Sequence, residues 1–155
     1  MTLRERVPTL LVIEDARDQA ILVGVAARRA HPGLDVRIAN DGSEGIAYLS
    51  GLAPFEDELS HPTPDLVMLD LMMPRVDGFG VLEWMRQHIS PPPFPVVVLT
   101  ASLDADDAAR ARALGAVSVH QKPPDLDGLG RVVAEIVHQW IGRGEIIAAH
   151  IWSAG

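Results

Sequence analysis

Cysteine is absent from the 155 residues. That excludes disulfides, a thiolate metal site and a cysteine nucleophile. No apolar run approaches the length of a membrane span. The first ten residues, MTLRERVPTL, lack the long apolar stretch of a signal peptide. A cytoplasmic location with no membrane partner is the default expectation. Basic excess is missing too: formal charge is −8 and the isoelectric point is about 5.1. Phosphate backbones repel such a chain, so direct nucleic-acid binding is not expected. Internal repeats, low-complexity segments and a second domain are likewise not found.

What remains is a chain that is 48% hydrophobic and 22% charged, enough for one globular domain with a full core. Its centre is Asp65–Gly78, DLVMLDLMMPRVDG. Leu66 to Leu69 form an unbroken apolar run, the pattern of a strand buried on both faces. Asp70 follows where that strand leaves the core. Pro74 and Gly78 then break the chain, and a helical pattern spans Phe79–Ile89 with Leu82, Met85 and Ile89 inward.

The same unit recurs. Thr9–Ile13 is apolar and ends in Glu14-Asp15. Ala16 to Ala30 read as a helix with Ala16, Ala20, Val23 and Ala27 on one face. Leu34–Ala39 alternate as an edge strand should. Ser43 to Leu49 make a short helix, and Gly51–Pro64 is a long polar loop. Val96–Leu99 is a buried strand ending in Thr100. Ser102 can cap a helix running to Leu114, with Asp104, Asp106 and Asp107 in its first turn. Ala116–His120 alternate as the other edge strand. Asp125 or Asp127 caps a last helix carrying Leu126, Leu129, Val133, Ile136, Val137 and Trp140 on one face. Strand and helix alternate five times, which demands an α/β fold: a doubly wound, five-stranded parallel sheet with helices on both faces.

In such a sheet Glu14, Asp15, Asp70, Thr100 and Lys122 share one rim. Carboxylates crowded to about 4 Å repel by roughly 4 kcal/mol per pair at an effective dielectric of 20. The cluster therefore wants a cation, and all-oxygen ligands select a hard divalent ion such as Mg²⁺. Lys122 and Thr100 add a positive charge and a hydroxyl donor for a phosphoryl group. These are the parts for phosphoryl transfer to an aspartate.

Glu14-Asp15, Asp70 in DLMMPRVDG, Thr100-Ala101 and Lys122-Pro123, taken with their spacing, resemble the receiver domain of two-component response regulators over about residues 8–141. The resemblance implies a flavodoxin-like (βα)5 fold with strand order 2-1-3-4-5. It makes Asp70 the phosphoacceptor. Asp15, Asp70 and the backbone carbonyl of Met72 would hold Mg²⁺, with Glu14 acting directly or through water. Thr100 and Lys122 would each engage a phosphoryl oxygen, and the Lys122–Pro123 peptide would be cis. The implied protein is not an enzyme beyond its own phosphorylation and dephosphorylation. It would be a single-domain regulator, with a receiver over 1–144 and a tail over 145–155, taking its phosphoryl group from a sensor histidine kinase. A receiver acting as phosphate sink or phosphorelay intermediate is the alternative.

The loop before Pro64, the stretch PVVVLTAS and KPPDLDGLGRVVAEIVHQW narrow the resemblance to regulators that partner phytochromes, so a bacteriophytochrome is the candidate kinase. Two positions depart from the family. Val119 stands where an aromatic residue is usual. Met72 and Ser102 stand where fast-dephosphorylating receivers place amide or acidic side chains that orient water.

Other classes fit less well. An aspartate-nucleophile phosphatase wants a second acid two residues after the nucleophile, where Met72 stands. A flavin carrier needs a phosphate-cradling loop where Glu14-Asp15 stand. A transcription factor needs a helix-turn-helix, for which this chain leaves no room. The six histidines show no ligand spacing and read as surface or edge residues. Asp77 reads as a cap and Arg75 as solvated. The apolar tail, IIAAHIW, reads either as a disordered end or as a strip docked on a partner. A homodimer through the Ser102–Leu114 helix, the Ala116–His120 strand and the Asp125–Ile141 helix is expected.

Overall fold

A computed structural model describes residues 7–52 and 54–142. The tail over 145–155 and its IIAAHIW segment lie outside the described residues. Five strands alternate with five helices. They are β1 (Thr9–Ile13), α1 (Arg17–Ala30), β2 (Asp35–Ala39), α2 (Gly42–Ser50) and β3 (Leu66–Leu69). Then come α3 (Gly78–His88), β4 (Val96–Thr100), α4 (Ala105–Ala113), β5 (Ser118–Gln121) and α5 (Leu126–Trp140). The strands form one parallel sheet in the order β2-β1-β3-β4-β5. This is the flavodoxin-like topology that the resemblance implies.

The three central strands are buried along their whole length, and the edge strands β2 and β5 are half-buried. Side chains alternate across the sheet, so one strand feeds two cores. Leu11, Ile13, Val67, Leu69, Val96 and Val98 pack with Leu82 and Met85 of α3. Leu10, Val12, Leu66, Met68, Val97 and Leu99 face the opposite way. They pack with Ala20, Val23 and Ala27 of α1 and Val133, Ile136 and Val137 of α5. Each fully buried aliphatic side chain contributes about 1.5–3 kcal/mol relative to exposure, and this double layer fixes the register that places the strand ends.

Asp65 ties β3 to β1 at the end opposite the acid rim: its Oδ2 accepts from Thr9 N at 2.8 Å, and its own N donates to Thr9 O at 2.8 Å. The long connection after α2 is anchored rather than loose. Tyr48 Oη donates to Pro62 O at 2.8 Å, and the Tyr48, Phe55 and His61 rings pack with centroids 5.1–5.9 Å apart.

Several local expectations are corrected. Helix α4 starts at Ala105 and its cap is Asp104, whose Oδ1 accepts from Asp107 N at 2.7 Å, so Ser102 stays outside the helix as an exposed residue. Of the two expected caps for α5 it is Asp125, accepting from Gly128 N at 2.7 Å, as the sequence allowed. Leu126, placed on the inner face by spacing, is exposed, whereas Gly128 and Leu129 in the same turn are buried. Trp140 packs half-buried against the α1 side of the core. His31 is buried at the end of α1, not on the surface, and His61 sits half-buried in the aromatic cluster. Among the described residues the cis peptide is Ser90–Pro91, and the Lys122–Pro123 bond is not cis. For an X–Pro bond the two isomers differ by only about 0.5–1 kcal/mol, so surrounding contacts decide.

Candidate functional site

Parallel pairing brings the strand ends together residue by residue. Ile13 is in register with Leu69, and the ladder continues one step further, with Asp70 N donating to Ile13 O at 3.1 Å. Glu14 N donates to Ala39 O at 3.1 Å, and Lys122 N to Thr100 O at 2.7 Å. Backbone bonds thus place Glu14, Asp70, Thr100 and Lys122 along a single rim. One carboxylate oxygen each from Glu14, Asp15 and Asp70 lie within 4.8 Å of one another. Glu14 and Asp70 are buried, while Asp15 is exposed and closes the outer side.

Lys122 supplies the cation that such crowding requires. Its ammonium pairs with Glu14 Oε1 and lies 3.9 Å from Asp70 Oδ2. Burial pushes the Glu14 carboxyl up to about 7; the Lys122 contact opposes that rise, and the Asp70 charge adds to it. Asp70 Oδ1 accepts from Met72 N at 3.2 Å, which steadies the carboxylate above the loop. The Met72 side chain points outward and is 60% exposed. Thr100 is fully buried, and its hydroxyl has no hydrogen-bond partner among the described residues. A buried hydroxyl without a partner costs about 1–3 kcal/mol.

The loop after β3 is clamped from beneath. A Cβ on Gly78 would lie 2.4 Å from Asp70 O and 2.7 Å from Leu71 Cα. Glycine there is a requirement of close packing beneath Asp70. Sequence pattern marks Gly78 only as a chain breaker, because the backbone that crowds it belongs to Asp70 and Leu71. Asp77 caps α3, accepting from Gly80 N at 2.9 Å, as its type suggested. Arg75 is exposed, with φ 64, and 3.6 Å from Asp41 Oδ2. Val119, where the family usually has an aromatic ring, is half-buried and packs against the core on the α3 side.

Residues 10–134 match the response regulator receiver domain. The chain belongs to that family. Response regulator Rcp1 of Synechocystis sp. is 30% identical over 140 residues, which cover 90% of this chain and 93% of Rcp1. Its Mn(2+)-bound crystal structure superposes with a TM-score of 0.76, over 86% of this chain and 94% of that one. The phosphorylated cyanobacterial phytochrome response regulator RcpA is 27% identical with a TM-score of 0.80, covering 88% and 95% of the two chains. A probable methanogenesis regulatory protein, FilR2 of Methanothrix harundinacea, is 32% identical over 133 residues, 86% of this chain and 83% of its own. The receiver family is not a classical enzyme family, and its members partner histidine kinases. No helix among the described residues is long and apolar enough to cross a membrane.

The residues present fit a divalent cation. Three convergent carboxylates offer hard oxygen donors. The Thr100 hydroxyl, without a partner among the described residues, and the Lys122 ammonium lie on the same rim.

Proposed function

We propose that this chain is a two-component response regulator in which Asp70 accepts a phosphoryl group from a sensor histidine kinase. The observation that carries this reading is the convergence of Glu14, Asp15 and Asp70 beside Lys122 and the buried, unpartnered Thr100 hydroxyl. An Asp70 carboxylate oxygen attacks phosphorus and a new P–O bond forms. The bond from phosphorus to the donor histidine nitrogen breaks, and its electron pair leaves with the imidazole. Lys122 balances charge on the transferred group, and Thr100 donates its hydroxyl to a phosphoryl oxygen. Asp15, Asp70 and the Met72 carbonyl would hold Mg²⁺, with Glu14 assisting directly or through water, and the bound ion would supply charge neutralisation.

The similarity to Rcp1 and RcpA supports a phytochrome-type kinase as the donor. The output is a change in a protein–protein face. The face formed by α4, β5 and α5 adjoins Thr100 and Lys122, and Val117, just ahead of its edge strand, is 47% exposed. We assign homodimer formation to it.

Incubation with acetyl phosphate and Mg²⁺, followed by intact-protein mass spectrometry, tests the assignment. The expected product is a single hydroxylamine-labile phosphoryl group that is lost in Asp70→Asn and in EDTA. Equal labelling of Asp70→Asn would overturn the reading.

A further inference from the structure

Helix α4 is lightly held. Among its described residues only Ala111 is buried, whereas α3 buries Gly78, Phe79, Val81, Leu82 and Met85. Leu103 and Leu114 flank α4 and are partly buried against the core. With so little apolar surface removed from water, one further contact weighs heavily in where this helix sits.

Such a contact reaches α3. The Arg110 guanidinium lies over the Phe79 ring, with Cζ 4.2 Å from its centroid. Its Nη2 is 4.0 Å from Glu83 Oε1, further along α3. Both charged side chains are more than half exposed, so that ion pair contributes little. The ring contact is of another kind, because Phe79 is buried in the core and does not follow a moving cation. A cation is held by a ring face only within about 6 Å of the centroid, so a modest shift of either partner releases it.

Phe79 is also tied to the acid rim. It follows Gly78, whose N donates to Leu71 O at 3.0 Å and whose Cα faces Asp70 O so closely that a Cβ would lie 2.4 Å away. In packing this tight, the backbone of Asp70 and Leu71 moves together with the first turn of α3. Val119, by contrast, offers no ring through which β5 could relay a change at Thr100.

We propose that Arg110 is a latch between α4 and the start of α3, closed on Phe79 in the resting protein and loosened when Asp70 is phosphorylated. This rests on the reading of Asp70 as the phosphoacceptor. A phosphoryl group on Asp70 displaces the backbone against which Gly78 sits, Phe79 moves with it, and the hold on Arg110 weakens. The population of α4 then shifts toward a second position. A latch worth only a few-fold in that equilibrium suits a switch that phosphorylation must be able to overcome.

Arg110→Met keeps the apolar stem and removes the charge, and Arg110→Lys restores a cation. In the unphosphorylated protein, amide hydrogen exchange at Ala111, Arg112 and Ala113 is expected to quicken roughly threefold in Arg110→Met. Val12 and Met68 in the central strands should be unchanged, and Arg110→Lys should recover part of the protection. Phe79→Leu should act on α4 in the same direction, and adding Arg110→Met to it should have little further effect there. Additive effects, or α4 amides that exchange as in the parent, would overturn the latch. Phosphorylation supplies the second arm. With acetyl phosphate and Mg²⁺ the Ala111 and Val117 resonances of the parent should move; in Arg110→Met they should start part-way along the same line and move less. Equal displacement in parent and variant would overturn the coupling to Asp70. Intact mass of the same samples keeps the two readings apart. Parent protein that takes no phosphoryl group sinks the phosphoacceptor assignment, while the exchange rates still decide whether Arg110 holds α4.

Discussion

The Lys122 ammonium pairs with Glu14 while standing 3.9 Å from Asp70 Oδ2, and the Lys122 and Glu14 side chains are only 7% and 3% exposed. One buried cation thus serves two carboxylates that come from different strands. The pair joins the residue just past β1 to the residue just past β5, across the ends of β3 and β4.

Removing that cation leaves two buried acids facing each other. Lys122→Met is expected to destabilise the metal-free protein by roughly 3–5 kcal/mol, the usual cost of breaking a buried pair. Saturating Mg²⁺ should return part of the loss, because a divalent ion replaces the missing charge. Urea unfolding with and without Mg²⁺ measures both effects. A variant as stable as the parent without metal would show that Lys122 does not hold the acids together.

Thr100 gives the opposite balance. Its hydroxyl is buried without a partner among the described residues, so Thr100→Val should leave stability unchanged or raise it by about 1 kcal/mol. The same variant should still accept phosphate at Asp70 but lose the phosphorylation-dependent change at the α4–β5–α5 face. Thermal unfolding and amide chemical shifts, with and without acetyl phosphate, separate the two effects. Loss of stability together with an intact response would contradict the assignment.

The phosphorylated form should be long-lived. Hydrolysis needs a water held in line with the aspartyl phosphate. Met72 has an outward-facing thioether, and Ser102 has a short exposed hydroxyl outside α4. Met72→Asn with Ser102→Glu is expected to speed dephosphorylation, by about tenfold or more for a positioned polar group. The decay of labelled protein over time decides, and an unchanged lifetime would place the control elsewhere.

Dimerisation should be partial before phosphorylation and only modestly tighter after it, because Val119 offers no large ring to swing between two positions. Strand β5 is an edge, and edges must be covered or protected. Light scattering of both forms at tens of micromolar, a range corresponding to about −6 to −7 kcal/mol, tests this. Val117→Lys should shift the population toward monomer. A monomer in both states would refute the face.

Much of this was legible in the residues themselves. Unbroken apolar runs at 9–13, 66–69 and 96–99 could be satisfied only by strands covered on both faces, and alternation at β2 and β5 marked the edges. Polar residues directly after those runs had to fall on one rim, because parallel strands end at the same side of the sheet. That is a consequence of topology, so Glu14, Asp15, Asp70, Thr100 and Lys122 could be named together. Caps were less certain, since Ser102 and Asp104 are both good cap residues and spacing does not choose between them. Burial of His31 was not legible, because a polar residue at a helix end gives no periodic signal.

Tertiary structure decided the rest. Which carboxylate Lys122 grips, and that Thr100 is left without a partner, follow from side-chain reach across four strands. The need for Gly78 arises from the backbone of Asp70 and Leu71 passing beneath it. The groove between α1 and α5 exists only because two helices far apart in sequence pack side by side. Sequence periodicity specifies which face of an element is apolar, since that is a property of consecutive residues. How two such faces meet, and what they leave uncovered, depends on distances between residues that the chain order does not contain.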